Sequence, residues 1–323
     1  MKAVVLAGGH ATRLWPITLD RAKPLLPLGG RPIIDYLVDE LEREVDEILV
    51  STNEKFSQDF EEYIDDFDRG SIRVVVENQG CEEEKPGTIG AIINLIENEG
   101  LDDDLLIIGG DNYYSFRTSD FIDFCREKNS PANVVYDVGD FKMASNFGIV
   151  DVGEEDKITD FEEKPENPAS TLASTACYFF PREYIKIFHE YENYFENETS
   201  IPADQYLDEP GRLIEWAHKQ EDMYAYSFNG HWFDIGTRQG YLNAMKQVIN
   251  GNYIEGRTEN CKIGENVYIM ENTEIKDTEI ENSIIFPGTK IKDSTIEGSI
   301  IDENSDITGK DLKNAIIGKY TKI

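Results

Sequence analysis

The chain has 323 residues, 40% of them hydrophobic, enough for one large folded domain and a smaller one. Sixty-four acidic residues against 31 basic ones leave a formal net charge of −33, which excludes a surface built for nucleic acid or an anionic membrane. Such a charge repels itself unless screened, and the Debye length falls to about 3 Å at 1 M salt. A salt-rich setting is therefore expected, with acidic runs such as Glu82-Glu83-Glu84 and Asp102-Asp103-Asp104 as solvated surface.

The first element is an apolar strand, Lys2-Ala3-Val4-Val5-Leu6-Ala7, with no basic-then-apolar leader before it. No stretch approaches the roughly 18 apolar residues of a membrane span, and a cytoplasmic location is expected. Gly8-Gly9 follows the strand at once, then Arg13 and Lys23-Pro24. Adjacent glycines let backbone N–H groups close on an anion, while a guanidinium and an ammonium can neutralise phosphoryl oxygens. The spacing matches neither the Gly-x-x-x-x-Gly-Lys-Ser/Thr loop nor the Gly-x-Gly-x-x-Gly turn.

Apolar runs at 3–7, 47–51, 72–76, 104–108 and 133–136 predict buried strands, and amphipathic stretches at 32–45, 57–67, 88–98 and 118–127 predict helices between them. This alternation is that of an α/β fold with a mostly parallel sheet and helices on both faces. Ligands sit at the carboxyl ends of strands in such sheets. Gly8-Gly9 ends the first strand and Gly109-Gly110-Asp111 the fourth, so both loops are expected on one edge. The cysteines, Cys81, Cys125, Cys177 and Cys261, lack metal-ligand spacing and read as reduced thiols.

A helix at 237–249 leads through Asn250-Gly251-Asn252 into a tail with a different period. Apolar residues recur at 275, 280 and 285, at 291, 296 and 301, and at 307, 312 and 317. Three short strands per 16-residue coil, each sending one aliphatic residue inward, predict a triangular parallel β-helix. No histidine follows His231, so the tail carries no acyl-transfer catalyst. It is expected to serve stability or assembly, its unpaired coil edge favouring a homo-oligomer through the β-helix.

Three segments carry a resemblance: Gly8-Gly9-His10-Ala11-Thr12-Arg13-Leu14, Trp15-Pro16-Ile17-Thr18 and Arg21-Ala22-Lys23-Pro24. Together they are similar to the signature of the sugar-phosphate nucleotidylyltransferases: Gly-Gly-x-Gly-Thr-Arg-Leu, x-Pro-x-Thr and Pro-Lys-Pro. Ala11 stands where the family has a third glycine and Ala22 where it has a proline, and an altered loop geometry is expected from the first. The resemblance implies a Rossmann-like, GT-A-like nucleotidyltransferase domain over 1–250, then a left-handed β-helix over 251–323. With the charge, it suggests a halophilic archaeal source.

The reaction so implied is attack of a sugar 1-phosphate oxygen on the α-phosphorus of a nucleoside triphosphate. The nucleophile is already an anion, so the protein must supply alignment and charge neutralisation rather than a base. The resemblance gives catalytic roles to Arg13, Lys23, Asp111 and Asp234, and makes Asp111 and Asp234 the ligands of Mg2+. Asp111 lies in Gly109-Gly110-Asp111-Asn112, and Asp234 in Trp232-Phe233-Asp234-Ile235-Gly236-Thr237, a match to Trp-x-Asp-x-Gly-Thr. Nucleotide contacts are implied for Leu6, Ala7, Gly8, Gly9, Thr12, Gly87 and Thr88. Sugar-phosphate contacts are implied for Gly148, Glu163, Lys164 and Thr175, from Asn146-Phe147-Gly148, Glu162-Glu163-Lys164-Pro165 and Thr175-Ala176-Cys177-Tyr178. His10 lies in the phosphate loop, and His231 is expected to pack. Glucose 1-phosphate with dTTP or UTP is the implied pair. A mannose-1-phosphate guanylyltransferase fits the same motifs, and a regulatory subunit that binds nucleotide sugars without turnover would be expected to lack one of these charged residues. The base is open, because Glu77 and Gln79 stand where the family often has one glutamine, and a carboxylate cannot donate to a uracil or thymine carbonyl.

Overall fold

The computed structural model describes residues 1–66, 71–77, 87–198 and 201–323; Gln79, Cys81, Glu82-Glu83-Glu84 and Pro86 lie outside the described residues. The chain forms two compact units. One comprises Met1–Gly9, Tyr36–Gly110 and Tyr114–Trp232, and the other His10–Asp35, Asp111–Tyr113 and Phe233–Ile323.

The first unit contains nine strands in one sheet among the described residues. They are β1 Lys2–Leu6, β2 Glu47–Thr52, β3 Ile72–Val76, β4 Leu105–Gly109, β5 Ala132–Asp137, β6 Gly148–Val152, β7 Ile158–Glu163, β8 Leu172–Phe180 and β9 Tyr224–Ser227. The order is β7-β6-β8-β4-β1-β2-β3, with β5 also on β8 and β9 beside β5. The strands β1 to β4 run parallel, as the alternating pattern predicts. Antiparallel β8 joins β4 at Cys177↔Ile108, and antiparallel β6 and β7 lie beyond it. All five apolar runs are strands of this sheet, displaced by at most one residue at their ends; β3, expected to be buried, ends the strand order, and only its Ile72 is buried while Val76 is exposed.

The expected helices appear as Ile33–Leu41, Ser57–Asp66, Gly87–Glu99 and Thr118–Lys128. The first is shorter than its pattern because the chain tightens after Leu41, whose carbonyl takes both Glu44 N–H at 2.9 Å and Val45 N–H at 3.0 Å. The third shows why such patterns specify helices. Ile89, Ile92, Ile93 and Ile96 share one face and belong to one core cluster with Val4, Leu49 and Ile107 of the sheet.

In the second unit the tail is a parallel β-helix. Three ladders stack its coils, one from Tyr253–Ile254 to Ile316–Ile317, one from Arg257–Glu259 to Asp306–Thr308, and one from Lys262–Ile263 to Asp311–Lys313. Ile275, Ile280, Ile285, Ile291, Ile296, Ile301 and Ile307 form its core, and burial of such a side chain contributes about 1.5–3 kcal/mol. Corners are turned by residues that tolerate the left-handed region, such as Asn282 at φ 45° and Asn304 at φ 56°. An additional coil precedes the periodic segment: Tyr253 pairs Tyr268 and Thr258 pairs Ile275, spacings that depart from sixteen and hide it from the repeat.

The segment His10–Asp35 is carried on this solenoid. Arg21 reaches Asp302 at 3.4 Å and Glu303 at 3.2 Å, Lys319 reaches Asp20 at 3.0 Å, and the Arg21 guanidinium lies 5.2 Å from the Phe286 ring centre. The Tyr241 hydroxyl donates to the Pro27 carbonyl from the helix Arg238–Ile249, and Arg238 donates to the Gly298 carbonyl. The tail therefore holds the segment that bears Arg13 and Lys23, a role beyond the stability or assembly read from its repeat. No helix among the described residues is long and apolar enough to cross a membrane.

Candidate functional site

Asp111 and Asp234 are distant in sequence and are joined by backbone pairing. The strand Trp232–Asp234 pairs with Asn112–Tyr114, and Ile235 N–H donates to the Asp111 carbonyl at 3.1 Å. The Lys23 ammonium hydrogen-bonds Asp111 Oδ2, while Asn112 Nδ2 donates to Asp111 Oδ1 at 2.9 Å. Burial raises the Asp234 pKa, and the neighbouring Asp111 charge raises it further, against the opposing pull of Lys23 and Arg13. A Cβ at Gly236 would stand 3.0 Å from Asp234 Oδ1 and 3.2 Å from Arg13 Nη2, so glycine there leaves room for carboxylate and guanidinium together. The second unit thus gathers Arg13, Lys23, Asp111 and Asp234.

Two mutually repelling carboxylates are an oxygen donor set suited to a hard divalent cation. Among the described residues no group of three or more His, Cys, Asp or Glu side chains could hold a metal. A cation held by the aspartate pair would therefore complete its shell from substrate oxygens and water. Thr12 opens the short 3-10 turn Thr12–Leu14, preceded by Ala11 at φ 48°. Ala11 keeps the left-handed backbone that a glycine takes at low cost, and its carbonyl accepts from the Thr18 hydroxyl at 2.9 Å.

Four nucleotide candidates of the first unit, Leu6, Ala7, Gly8 and Gly9, follow one another where β1 ends. Leu6 closes the strand, and Ala7 N–H donates to the Ser51 carbonyl at 2.8 Å. Asn53 Nδ2 donates to the Gly8 carbonyl at 2.8 Å. A Cβ at Gly8 would lie 2.4 Å from Glu77 Oε1, whereas one at Gly9 would meet nothing within 4 Å. Glu77 accepts from the Ser51 hydroxyl at 2.9 Å, and burial raises its pKa. Gly87, at φ 68°, starts the helix that also carries Thr88; a Cβ there would meet the Leu207 carbonyl oxygen at 2.5 Å.

The sugar-phosphate candidates come from β6, β7 and β8. Glu163 pairs with Gly148, and Cβ atoms at Gly148 and Gly211 would stand 2.8 Å and 1.7 Å from Glu163 Oε2. Glycine at both positions lets the carboxylate lie against backbone. Burial raises the Glu163 pKa against the pull of Lys164. Lys164 itself has a φ of 47°, strain that a non-glycine residue holds only where its surroundings impose it. Thr175 sits in an irregularity of β8, beside Ala176 at φ 54°. Its hydroxyl is buried and donates to the Val134 carbonyl at 2.9 Å. His231, expected to pack, is exposed, with its backbone N–H held by the Ser115 hydroxyl at 2.7 Å.

Residues 2–251 match the nucleotidyl transferase family. The chain belongs to it. It is 32% identical over 264 residues to a glucose-1-phosphate adenylyltransferase of Clostridium acetobutylicum, covering 77% of this chain and 67% of that protein. It is 30% identical over 271 residues to the bifunctional protein GlmU of Methanocaldococcus jannaschii, covering 83% of this chain and 59% of that protein. A crystal structure from Bacillus anthracis, provisionally assigned as a glucose-1-phosphate thymidylyltransferase and solved with sucrose, aligns with TM-score 0.64 and 26% identity. That alignment covers 80% of this chain and 98% of the other. Asn53, Glu209 and Arg212 were not singled out from the sequence, where each lies outside any recognisable motif.

Proposed function

We propose that this nucleotidyl transferase joins a nucleoside triphosphate to a sugar 1-phosphate, most readily glucose 1-phosphate, and releases pyrophosphate. A phosphate oxygen of the sugar forms a bond to the α-phosphorus, the bond from that phosphorus to the bridging β-phosphate oxygen breaks, and pyrophosphate leaves with the electron pair. The observation that carries the reading is the convergence of Arg13 and Lys23 on the Asp111 and Asp234 pair. Arg13 and Lys23 would neutralise phosphoryl oxygens and align the triphosphate. Asp111 and Asp234 would hold magnesium, which supplies charge neutralisation at the reacting phosphates. Gly8 and Gly9 leave backbone open to the anion, and Glu163 and Lys164 would take the sugar hydroxyls and phosphate.

At Glu77 the base choice turns on one proton. As a carboxylate it accepts only, which suits the amino group of adenine and agrees with the adenylyltransferase relatives. As a neutral acid it donates, which suits the carbonyl of dTTP or UTP, the pair implied by the sequence resemblance. The raised pKa of Glu77 keeps that second reading in play.

Pyrophosphate release with magnesium, crossing ATP, UTP, dTTP, GTP and CTP against glucose, mannose and N-acetylglucosamine 1-phosphates, tests both levels. ATP with glucose 1-phosphate, the pair named for the adenylyltransferase relatives, is expected to lead. Nucleotide binding with silence across the whole grid would overturn the reaction and favour a regulatory subunit.

A further inference from the structure

Lys164 is paired in a way its motif does not require. Glu209 takes one cation on each oxygen: Lys164 Nζ lies 2.5 Å from Oε1 and Arg212 Nε lies 2.8 Å from Oε2. Glu209 immediately precedes the helix Pro210–Ala217, yet its side chain makes no capping hydrogen bond to it. The carboxylate is spent on the two cations instead. Their attraction outweighs burial, which alone would raise a carboxyl pKa, and holds the Glu209 pKa low. The cluster lies beside Glu163: Lys164 Nζ is 3.5 Å from Glu163 Oε1, and the missing side chain at Gly211 leaves room for Glu163 Oε2.

A phosphate offers the same fork of oxygens as a carboxylate, with more charge, and a guanidinium is well suited to it. We propose that Arg212 is a second cation for the phosphate of the sugar 1-phosphate, acting with Lys164, and that Glu209 is an internal anion competing for the same two cations. This rests on the reaction proposed above and adds two residues to it. Competition sets opposite signs for the two sites. Removing the Arg212 charge weakens the phosphate contact, whereas removing the Glu209 charge frees both cations and tightens it. A merely structural ion network would weaken with either change.

The test is steady-state kinetics with glucose 1-phosphate, with inorganic phosphate as a competing inhibitor and thermal melting as the fold control. Arg212→Ala should raise KM for glucose 1-phosphate and the inhibition constant of inorganic phosphate about tenfold, the scale of one charge-assisted hydrogen bond, with KM for the nucleotide unchanged. Arg212→Lys should recover part of the loss. Glu209→Gln should lower both constants several-fold. An unchanged KM in Arg212→Ala, or a raised one in Glu209→Gln at intact melting temperature, overturns the assignment while leaving the reaction standing. Failure of the unaltered protein to use any sugar 1-phosphate overturns the reaction instead.

Discussion

Glu163 is placed by strand register, with Lys164 just beyond it held by its N–H to the Phe147 carbonyl, whereas Arg13 and Lys23 are placed by side-chain anchors on a solenoid. In the sheet unit, pairing of β7 with β6 sets Glu163 opposite Gly148, and each backbone hydrogen bond of the ladder helps fix that position. In the other unit, Arg13 and Lys23 lie on short turns whose regular hydrogen bonding is slight. Their position depends on Arg21, Lys319, Tyr241 and the coils those residues grip or rest on. A register is hard to perturb without unfolding the sheet. An anchor can be removed singly, so the two halves of the chemistry should respond to different mutations in different kinetic constants.

The largest effect is expected at the anchored group itself. Arg13→Ala should lower turnover by about 100–1,000-fold, the scale for loss of one preorganised charge stabiliser, with KM for sugar phosphate little changed. Near-normal turnover would remove Arg13 from the site.

Loosening the anchor should be felt next. Arg21→Ala leaves Asp302, whose side chain is 3% exposed, without its Arg21 partner. Stranding a buried charge costs about 3–5 kcal/mol, and a shift of the Lys23 turn should lower kcat roughly tenfold or more by misalignment. Circular dichroism melting with kinetics would separate the two effects. If stability falls while kcat holds, the solenoid does not position the catalytic segment.

Glu77 offers a way to sharpen the contrast on the sheet side. Burial raises its pKa, so it stays neutral to higher pH than an ordinary carboxyl, donating below that pKa and accepting above it. The ratio of UTP or dTTP use to ATP use should therefore rise as pH falls. Glu77→Gln should favour UTP or dTTP and flatten the profile, because an amide does not titrate. A ratio independent of pH in the unaltered protein would exclude Glu77 from the base pocket.

Legibility in the sequence follows the same division. The strands β1, β2, β4 and β5 were visible as apolar runs because they are buried inside the sheet, β3 by its valines although only Ile72 of that strand is buried, and the coil core because its isoleucines recur at fixed spacing. Strand β7 carries the half-buried sequence Ile-Thr-Asp-Phe-Glu-Glu, whose apolar residues fit no simple period, and only its motif drew notice. The quartet Arg13, Lys23, Asp111 and Asp234 was legible as four motifs, but not that one unit holds them all. The anchors were not legible. Arg21 and Asp302 are individually ordinary charged residues, and their partnership is a tertiary fact. Glu209 and Arg212 were hidden for that same reason, lying at the start of the helix Pro210–Ala217, far along the chain from Lys164.

The smallest expected effect concerns Ala11, just before the turn that bears Arg13. Its φ of 48° and ψ of 43° are the left-handed conformation that costs an L-residue about 1–2 kcal/mol. Glycine would relieve that strain but bring extra freedom to the unfolded chain, worth about 0.4–1 kcal/mol in the opposite direction. Ala11→Gly should therefore raise stability by no more than about 1.6 kcal/mol, a shift of a few degrees in Tm. Turnover should stay close to that of the unaltered protein, because the Ala11 carbonyl keeps its bonds from the Thr18 hydroxyl and the Leu14 N–H. A large fall in kcat with an unchanged melting curve would mean that the alanine methyl itself restricts the loop, and that the turn, rather than its anchors on the solenoid, sets the position of Arg13.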